Sequence, residues 1–380
     1  MAAVKFLHCA DMHLDVPFSS IDSGTGKSTV RRLDLKETFS RIIAAAISEK
    51  IQIMLISGDL YEHAYAKKAT ISFINDEFEK IPEVRIFIIP GNHDPYIKNS
   101  YYRDFKWAGN VNILNEDNPY VIIEDLQTCV YGIGFKSFTQ EKTLVYDMKL
   151  MDAAFINILM VHGTVDMDFK QDVYNPMTSE NLRKLGMDYI ALGHFHNRLA
   201  RVGGCPGIYN PGSPEPLGFD ETGEHGVFIG TIEKEGSSTV DVKFMKMNKR
   251  YYEKLEVDIS SCNNDEQAAL RIEAALKGFE TSSGLFYVTL KGFIERGFNI
   301  NTGHIVSGFS DKVFYMKIRD ESSMDFDYEG IMNEPGLKGL YVRKIFAMIS
   351  KTEDEYEKRQ LERALRYGIE ALEKGKIEIY

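Results

Sequence analysis

Cysteine is scarce in this chain. Four residues in 380 (Cys9, Cys129, Cys205 and Cys262) lie far apart, and none forms a Cys-x-x-Cys pair. That spacing excludes a disulfide framework or a thiolate zinc knuckle and points to a reducing, cytoplasmic compartment. No apolar run approaches the ~20 residues of a membrane span. The first ten residues are too short an apolar stretch, and too interrupted by Lys5 and His8, for a secretory signal. Long internal repeats and low-complexity runs are missing too. Nor is there a surplus of positive charge, since the formal net charge is −11. A protein that covers nucleic acid with its own surface needs a basic face. What is present, 44% hydrophobic and 27% charged residues, is ordinary soluble composition with enough chain for two or three domains.

The stretch Val84-Arg-Ile-Phe-Ile-Ile-Pro-Gly-Asn-His-Asp-Pro95 organises the rest. Its β-branched and aromatic run predicts a strand buried on both faces, stopped by Pro90 and Gly91. Asn92, His93 and Asp94 follow on a tight turn at the strand's C-terminal end, the edge where open α/β sheets bind ligands. The same grammar recurs. Val4–Cys9 leads to Asp11 and His13, Ile51–Ser57 to Gly58-Asp59, Ile156–Val161 to His162-Gly163, and Tyr189–Leu192 to Gly193-His194-Phe195-His196. Residues at i and i+2 of an extended segment point the same way, so Asp11 and His13, like His194 and His196, can share a target. Helical apolar spacing over Arg31–Lys50 and Thr70–Glu79 gives a β-α-β-α-β order and hence parallel pairing. Tyr101–Trp107, rich in aromatics, reads as helical. Asp22–Thr29 imitates a phosphate loop, but Ile21 stands where its first glycine belongs and no strand precedes it. A surface loop fits better.

Five of nine histidines ending predicted strands on one sheet edge is a pattern that scattered structural histidines do not make. Imidazole, carboxylate and amide oxygen together suit Mn²⁺, Fe²⁺ or Zn²⁺. The set lacks thiolates and is too rich in nitrogen for Ca²⁺ or Mg²⁺. Two ions are accommodated if one carboxylate bridges them. His8, His63, His225 and His304 have no place in this scheme and read as structural or surface groups.

In this order, Asp-x-His, Gly-Asp, Gly-Asn-His-Asp, His-Gly and Gly-His-x-His resemble the calcineurin-like metallophosphoesterases over residues 4 to about 245. The resemblance implies a two-sheet α/β sandwich flanked by helices. It also implies that Asp11, His13, Asp59 and His196 hold one ion, and that Asp59, Asn92, His162 and His194 hold the other. His93 would be a catalytic histidine outside the ligand set. Asp94 would either fix the tautomer of His93 or cap a helix. Such a pair of ions acidifies water and clamps a phosphodiester.

Asp188–His196, Tyr209–Pro214 and Gly218–Gly223 are further similar to SbcD-type DNA repair nucleases. That likeness implies a Mn²⁺-dependent exonuclease, with endonuclease activity as an option, partnered by DNA, by an SbcC-type coiled-coil ATPase and by a second copy as a homodimer. Residues 1–247 would form the nuclease domain, 248–350 a small α+β capping domain, and 351–380 a helical tail. The tail carries a stripe of Leu361, Leu365, Ile369 and Leu372 that suits partner docking or folding back onto its own domain. Lys243, Lys246, Lys249, Arg250 and Lys254 make a basic stretch that would either face DNA or be an ordinary solvated hinge. The alternative function is a phosphodiesterase or phosphatase for a small molecule or cyclic nucleotide, built on the same site.

Overall fold

The computed structural model describes residues 2–21, 26–167, 174–295, 298–324 and 326–374. The chain divides into two units, one of residues 1–253 with 283–285 and one of 254–282 with 286–380.

In the first unit, β1 (Ala2–Cys9), β2 (Ile53–Ser57), β3 (Arg85–Ile89) and β4 (Val111–Ile113) pair in parallel. α1 (Lys27–Ser48) and α2 (Lys68–Glu79) are the crossovers between the first three strands, as the apolar spacing predicts. A second sheet holds β5 (Tyr120–Ile123), β6 (Thr128–Gly132), β7 (Ile156–His162), β8 (Tyr189–Gly193), β9 (Leu199–Ala200) and β10 (Ile208–Asn210), in the order β5-β6-β7-β8-β10-β9. The hairpin of β11 (Gly226–Glu235) and β12 (Ser237–Lys246) then returns to the first sheet, where β11 lies antiparallel to β1. The first sheet is therefore ordered β12-β11-β1-β2-β3-β4.

Alternating residues explain how the sheets stack. Val4, Phe6, Ile53, Leu55, Phe87 and Ile89 of the first sheet pack with Val130, Ile158, Met160, Tyr189 and Ala191 of the second in one buried cluster. Buried Leu35, Phe39, Ile42 and Ala46 give α1 its apolar stripe. The helix expected over Tyr101–Trp107 is shorter than predicted: α3 spans Tyr101–Asp104, with Ser100 capping it. The aromatics are largely internal, since Trp107 contacts Phe78, Tyr102 and Phe105. α4 (Ser179–Arg183) is a short helix capped by Thr178. Of the phosphate-loop lookalike, residues 22–25 lie outside the described residues, and Lys27 opens α1.

The second unit has a three-stranded sheet of β13 (Tyr251–Asp258), β14 (Gly284–Lys291) and β16 (Tyr315–Asp320), and a short pair of β15 (Phe293–Ile294) with β17 (Ser323–Met324). Its helices are α5 (Asp265–Ala275), α6 (Thr302–Gly308), α7 (Tyr328–Asn333), α8 (Leu337–Ile349) and α9 (Glu355–Lys374). α9 carries the predicted tail stripe. Leu365 and Ile369 of that stripe are buried with Phe326, Ile331 and Val342, so this part of it is covered by its own unit, while Leu372 is exposed. No helix among the described residues is long and apolar enough to cross a membrane. All four cysteines are free and buried.

Candidate metal centre

The predicted site residues converge, but from two sheets rather than along one edge. Asp11, His13, Asp59 and Asn92 sit on loops that leave β1, β2 and β3. His162 closes β7, while His194 and His196 follow β8. The loops after β1 and β2 are zipped together, with the amides of Asp11 and His13 donating to the carbonyls of Gly58 (3.1 Å) and Asp59 (2.9 Å). Asp11, His13, Asp59 and His194 all hold positive φ, at 53°, 46°, 53° and 95°. Such backbone is costly for residues with a Cβ and gathers at functional sites, where surrounding bonds enforce it. Gly58, at φ 89°, shows why its side chain must be missing: a Cβ there would lie 2.3 Å from Nδ1 of His162.

Three of the four imidazoles are aimed by the group on the far nitrogen. Nδ1 of His162 donates to the Ser57 carbonyl at 2.8 Å, which leaves Nε2 facing Asn92 Oδ1 (3.0 Å) and Asp59 Oδ2 (3.2 Å). Nδ1 of His13 meets Glu62 Oε1 at 2.7 Å, and Nδ1 of His196 meets Glu221 Oε1 at 2.8 Å. Their Nε2 atoms then confront each other at 3.1 Å. His194 bonds Asp11 through its amide (3.0 Å) and approaches Asn92 Oδ1 through Nδ1 (3.1 Å).

Among the described residues the donors form three groups, of which Asp11 with His13 and His196, and Asp59 with His162 and His194, are drawn from the predicted ligands, while the third joins His13 to Glu62 and His93. Within each group the ligand atoms lie within 4.8 Å of one another. Asp59 Oδ2 is also 3.6 Å from His13 Nε2, so this single oxygen stands between the first two groups. The donor chemistry fits two divalent cations. Ring nitrogens and carboxylate oxygens point inward, and no lysine or arginine side chain pairs with Asp11 or Asp59 among the ion pairs of the described residues. The site's field favours positive charge. Burial opposes protonation of His162 and His196, yet Asp59 and Asp11 around the first and Glu221 beside the second lift both to about 9. Burial likewise works to raise Asp59, but His162 and His13 hold it well below the usual carboxylate range.

One expectation needs correction. Asp94 does not touch the His93 ring and caps no helix. It is buried, and it accepts from the amides of Gly91 (2.6 Å), Leu60 (2.6 Å), Asp59 (3.2 Å) and Tyr61 (3.3 Å) and from the Tyr102 hydroxyl (2.6 Å). Burial first, then the charge of Asp59, raises its carboxyl to about 6. It clamps the loops after β2 and β3 together. The partner of His93 is Glu62, whose Oε2 lies 3.0 Å from Nδ1. Burial opposes protonation of His93, but Glu62 and Asp59 outweigh it and lift the ring to about 9. Glu62 thus spans His13 and His93, a role that no spacing rule reveals. Glu221 lies in the Gly218–Gly223 segment singled out in the sequence, where nothing marks it as the support of His196.

The basic stretch, left open between a DNA face and an ordinary solvated hinge, has four of its five charges paired with carboxylates. Lys243 pairs with Glu49, Lys246 with Glu224, Lys249 with Asp34 and Glu37, and Arg250 with Asp34. The histidines set aside behave as expected where buried: both nitrogens of His8 are matched, by the Tyr189 hydroxyl and the Leu192 carbonyl, and His225 meets the Ser213 carbonyl.

Residues 4–198, which carry all seven converging side chains, match the calcineurin-like phosphoesterase family. The chain belongs to this family. Its members are hydrolases of phosphoesters that work with a dinuclear divalent metal site. This phosphoesterase is 29% identical over 271 residues to "Uncharacterized metallophosphoesterase YhaO" of Bacillus subtilis, covering 69% of this chain and 64% of that one. It is 25% identical over 279 residues to "DNA double-strand break repair protein Mre11" of Methanopyrus kandleri, covering 64% and 57%. It is 24% identical over 278 residues to the SbcD polypeptide of the SbcCD nuclease of Staphylococcus saprophyticus, covering 65% and 68%. The chain thus spans less than two thirds of the length of the first two relatives.

Proposed function

We propose that this phosphoesterase is a Mn²⁺-dependent DNA nuclease of the SbcD type, acting in DNA repair beside an SbcC-like ATPase. The observation that carries phosphodiester hydrolysis is the pair of donor groups sharing Asp59 Oδ2. The extension to DNA is supported by the relatives named for break repair and for SbcCD.

In this reading Asp11, His13 and His196 hold one ion, Asn92, His162 and His194 the other, and Asp59 bridges. When bound, the ions acidify water and polarise the phosphoryl oxygens. The chain's own contribution lies around them. The Ser57 carbonyl, Glu62 and Glu221 hold His162, His13 and His196 in tautomers that leave Nε2 pointing inward. His93 donates a hydrogen bond from Nδ1–H to Glu62 and keeps Nε2 for the substrate, so a protonated Nε2 can give its proton to the departing sugar oxygen. The ring is 45% exposed, open enough to meet a polymer.

One observation favours the alternative, a phosphodiesterase for small molecules or cyclic nucleotides: the basic residues at 243–250 are engaged by carboxylates rather than free for a phosphate backbone. An ATPase partner that contributes DNA surface answers it. The test is cleavage of linear duplex and single-stranded DNA by purified protein with Mn²⁺, against bis-p-nitrophenyl phosphate and cyclic nucleotides. The nuclease reading expects DNA cleavage that His93→Ala removes while metal stays bound. Hydrolysis of the small esters alone, with DNA intact, would overturn it.

A further inference from the structure

We propose that Asn210 is a positioning residue for the candidate ligand His196, fixing it through the backbone rather than through the ring. The inference rests on the reading of His196 as a metal ligand and deepens it. His196 lies on an irregular loop between the end of β8 at Gly193 and the start of β9 at Leu199. On the same loop His194 is held at φ 95°, a conformation that surrounding bonds must enforce. The carbonyls of such a loop have no partners in a helix or a sheet and must find them elsewhere. The segment at 209–214 supplies them.

The Asn210 side-chain NH₂ donates to the carbonyls of Phe195 (2.6 Å) and Asn197 (3.1 Å), one on each side of His196. The Ser213 amide donates to the carbonyl of His196 itself at 3.0 Å. Three successive carbonyls are thus taken by one segment. Gly212 lets it come this close: at φ 74°, a Cβ there would lie 2.3 Å from the His196 carbonyl oxygen. Asn210 is 2% exposed, and its Oδ1 has no partner among the described residues. Leaving a buried amide oxygen unpaired is unfavourable, so the residue serves through its two N–H donors alone. The ring of His196 is aimed separately, by Glu221 at Nδ1 (2.8 Å), with the Ser213 hydroxyl holding Glu221 at 2.6 Å. His194 has its own anchor, the bond from its amide to Asp11 at 3.0 Å. Removing the Asn210 donors should therefore loosen the ion held with His196 and spare the one held with His194.

The test is calorimetric titration of the full chain with Mn²⁺, beside circular dichroism of the metal-free protein. Asn210→Asp keeps the shape and removes both donors; Asn210→Ala takes its place if the buried carboxylate unfolds the chain. We expect the variant to weaken one ion about 10- to 100-fold and to leave the other at wild-type affinity. His196→Ala should weaken the same ion, and Asn210→Asp added to it should weaken binding no further, because residues that act as one unit are not additive. A merely structural role would weaken both ions together, or weaken the ion that His196→Ala leaves, and either result overturns the proposal. So does wild-type binding by the Asn210 variants, or failure of both to fold. His196→Ala holding two ions at wild-type affinity overturns the reading of His196 as a ligand, and the proposal with it.

Discussion

Two buried clusters of charge in the first unit are built to opposite plans. At the start of α1, Arg31 is fully buried and its guanidinium meets Glu215 at 2.6 Å, Asp34 at 3.2 Å and the Pro216 carbonyl at 2.7 Å. Glu215 also takes the Thr38 hydroxyl and the amides of Lys249 and Arg250. Every carboxylate there meets a cation supplied by the chain. Around Asp59, carboxylates and ring nitrogens converge, and no lysine or arginine among the described residues pairs with Asp59 or Asp11. The first arrangement is a strut that ties α1 to the segments at 215 and 249–250. The second answers its carboxylates with imidazoles alone, whose ring nitrogens suit a divalent cation as well as a proton. Burial of charge alone does not mark function; carboxylates faced by metal-ligating nitrogens do.

The contrast can be broken in order of expected effect. Asp59→Asn should cut phosphodiester hydrolysis at least about 10³-fold, because charge stabilisation by the ions is worth several kcal/mol, while metal-free thermal stability stays near wild type. Loss of fold with loss of activity would erase the distinction. Arg31→Met should do the converse, lowering unfolding free energy by about 3–5 kcal/mol in denaturant titrations and sparing the turnover of what remains folded. Next comes Glu62→Gln. An amide offers one acceptor oxygen where two ring N–H groups need one each, so metal affinity or activity should fall about 10- to 100-fold, as read by Mn²⁺ titration.

How far these features are legible in the sequence depends on their range. Strand, sharp turn and ligand are contiguous, so Asp11, His13, Asp59, Asn92, His162, His194 and His196 could be picked out from buried runs that stop at Gly or at a charged residue. Parallel pairing of β1, β2 and β3 followed from the intervening helices. The contacts of Glu62 with His93, of Glu221 with His196, of Arg31 with Glu215 and of Asp94 with Leu60 are tertiary, and no periodicity encodes them. The return of the β11–β12 hairpin to β1 joins residues more than two hundred positions apart, such as Lys5 with Thr231, beyond the reach of any local pattern. The basic stretch stayed open between a DNA face and a solvated hinge because a run of lysines shows charge but not the acidic partners, such as Asp34 and Glu37 of α1, that the fold brings to it.

Protonation offers a smaller test. His8 lies between the sheets, and its burial, against a weaker pull from the Leu192 carbonyl, drops the ring from 6.5 to about 3. A ring neutral in the folded state and protonated in the unfolded one stabilises fully above pH 6.5. It loses about 1.4 kcal/mol per unit as pH falls toward 3. His8→Phe should therefore flatten the acid limb of a stability–pH curve by about that slope, and an unchanged slope would mean His8 is not the neutral spacer described. Smallest of all, Lys246→Ala breaks only an exposed 3.9 Å pair with Glu224 and should move stability by less than about 1 kcal/mol.

The count of ions per chain addresses the shared oxygen most directly. Elemental analysis and calorimetric titration with Mn²⁺ should find two ions bound to the wild type and no more than one to Asp59→Asn. Two ions held by Asp59→Asn at wild-type affinity, or none held by the wild type, would contradict the account.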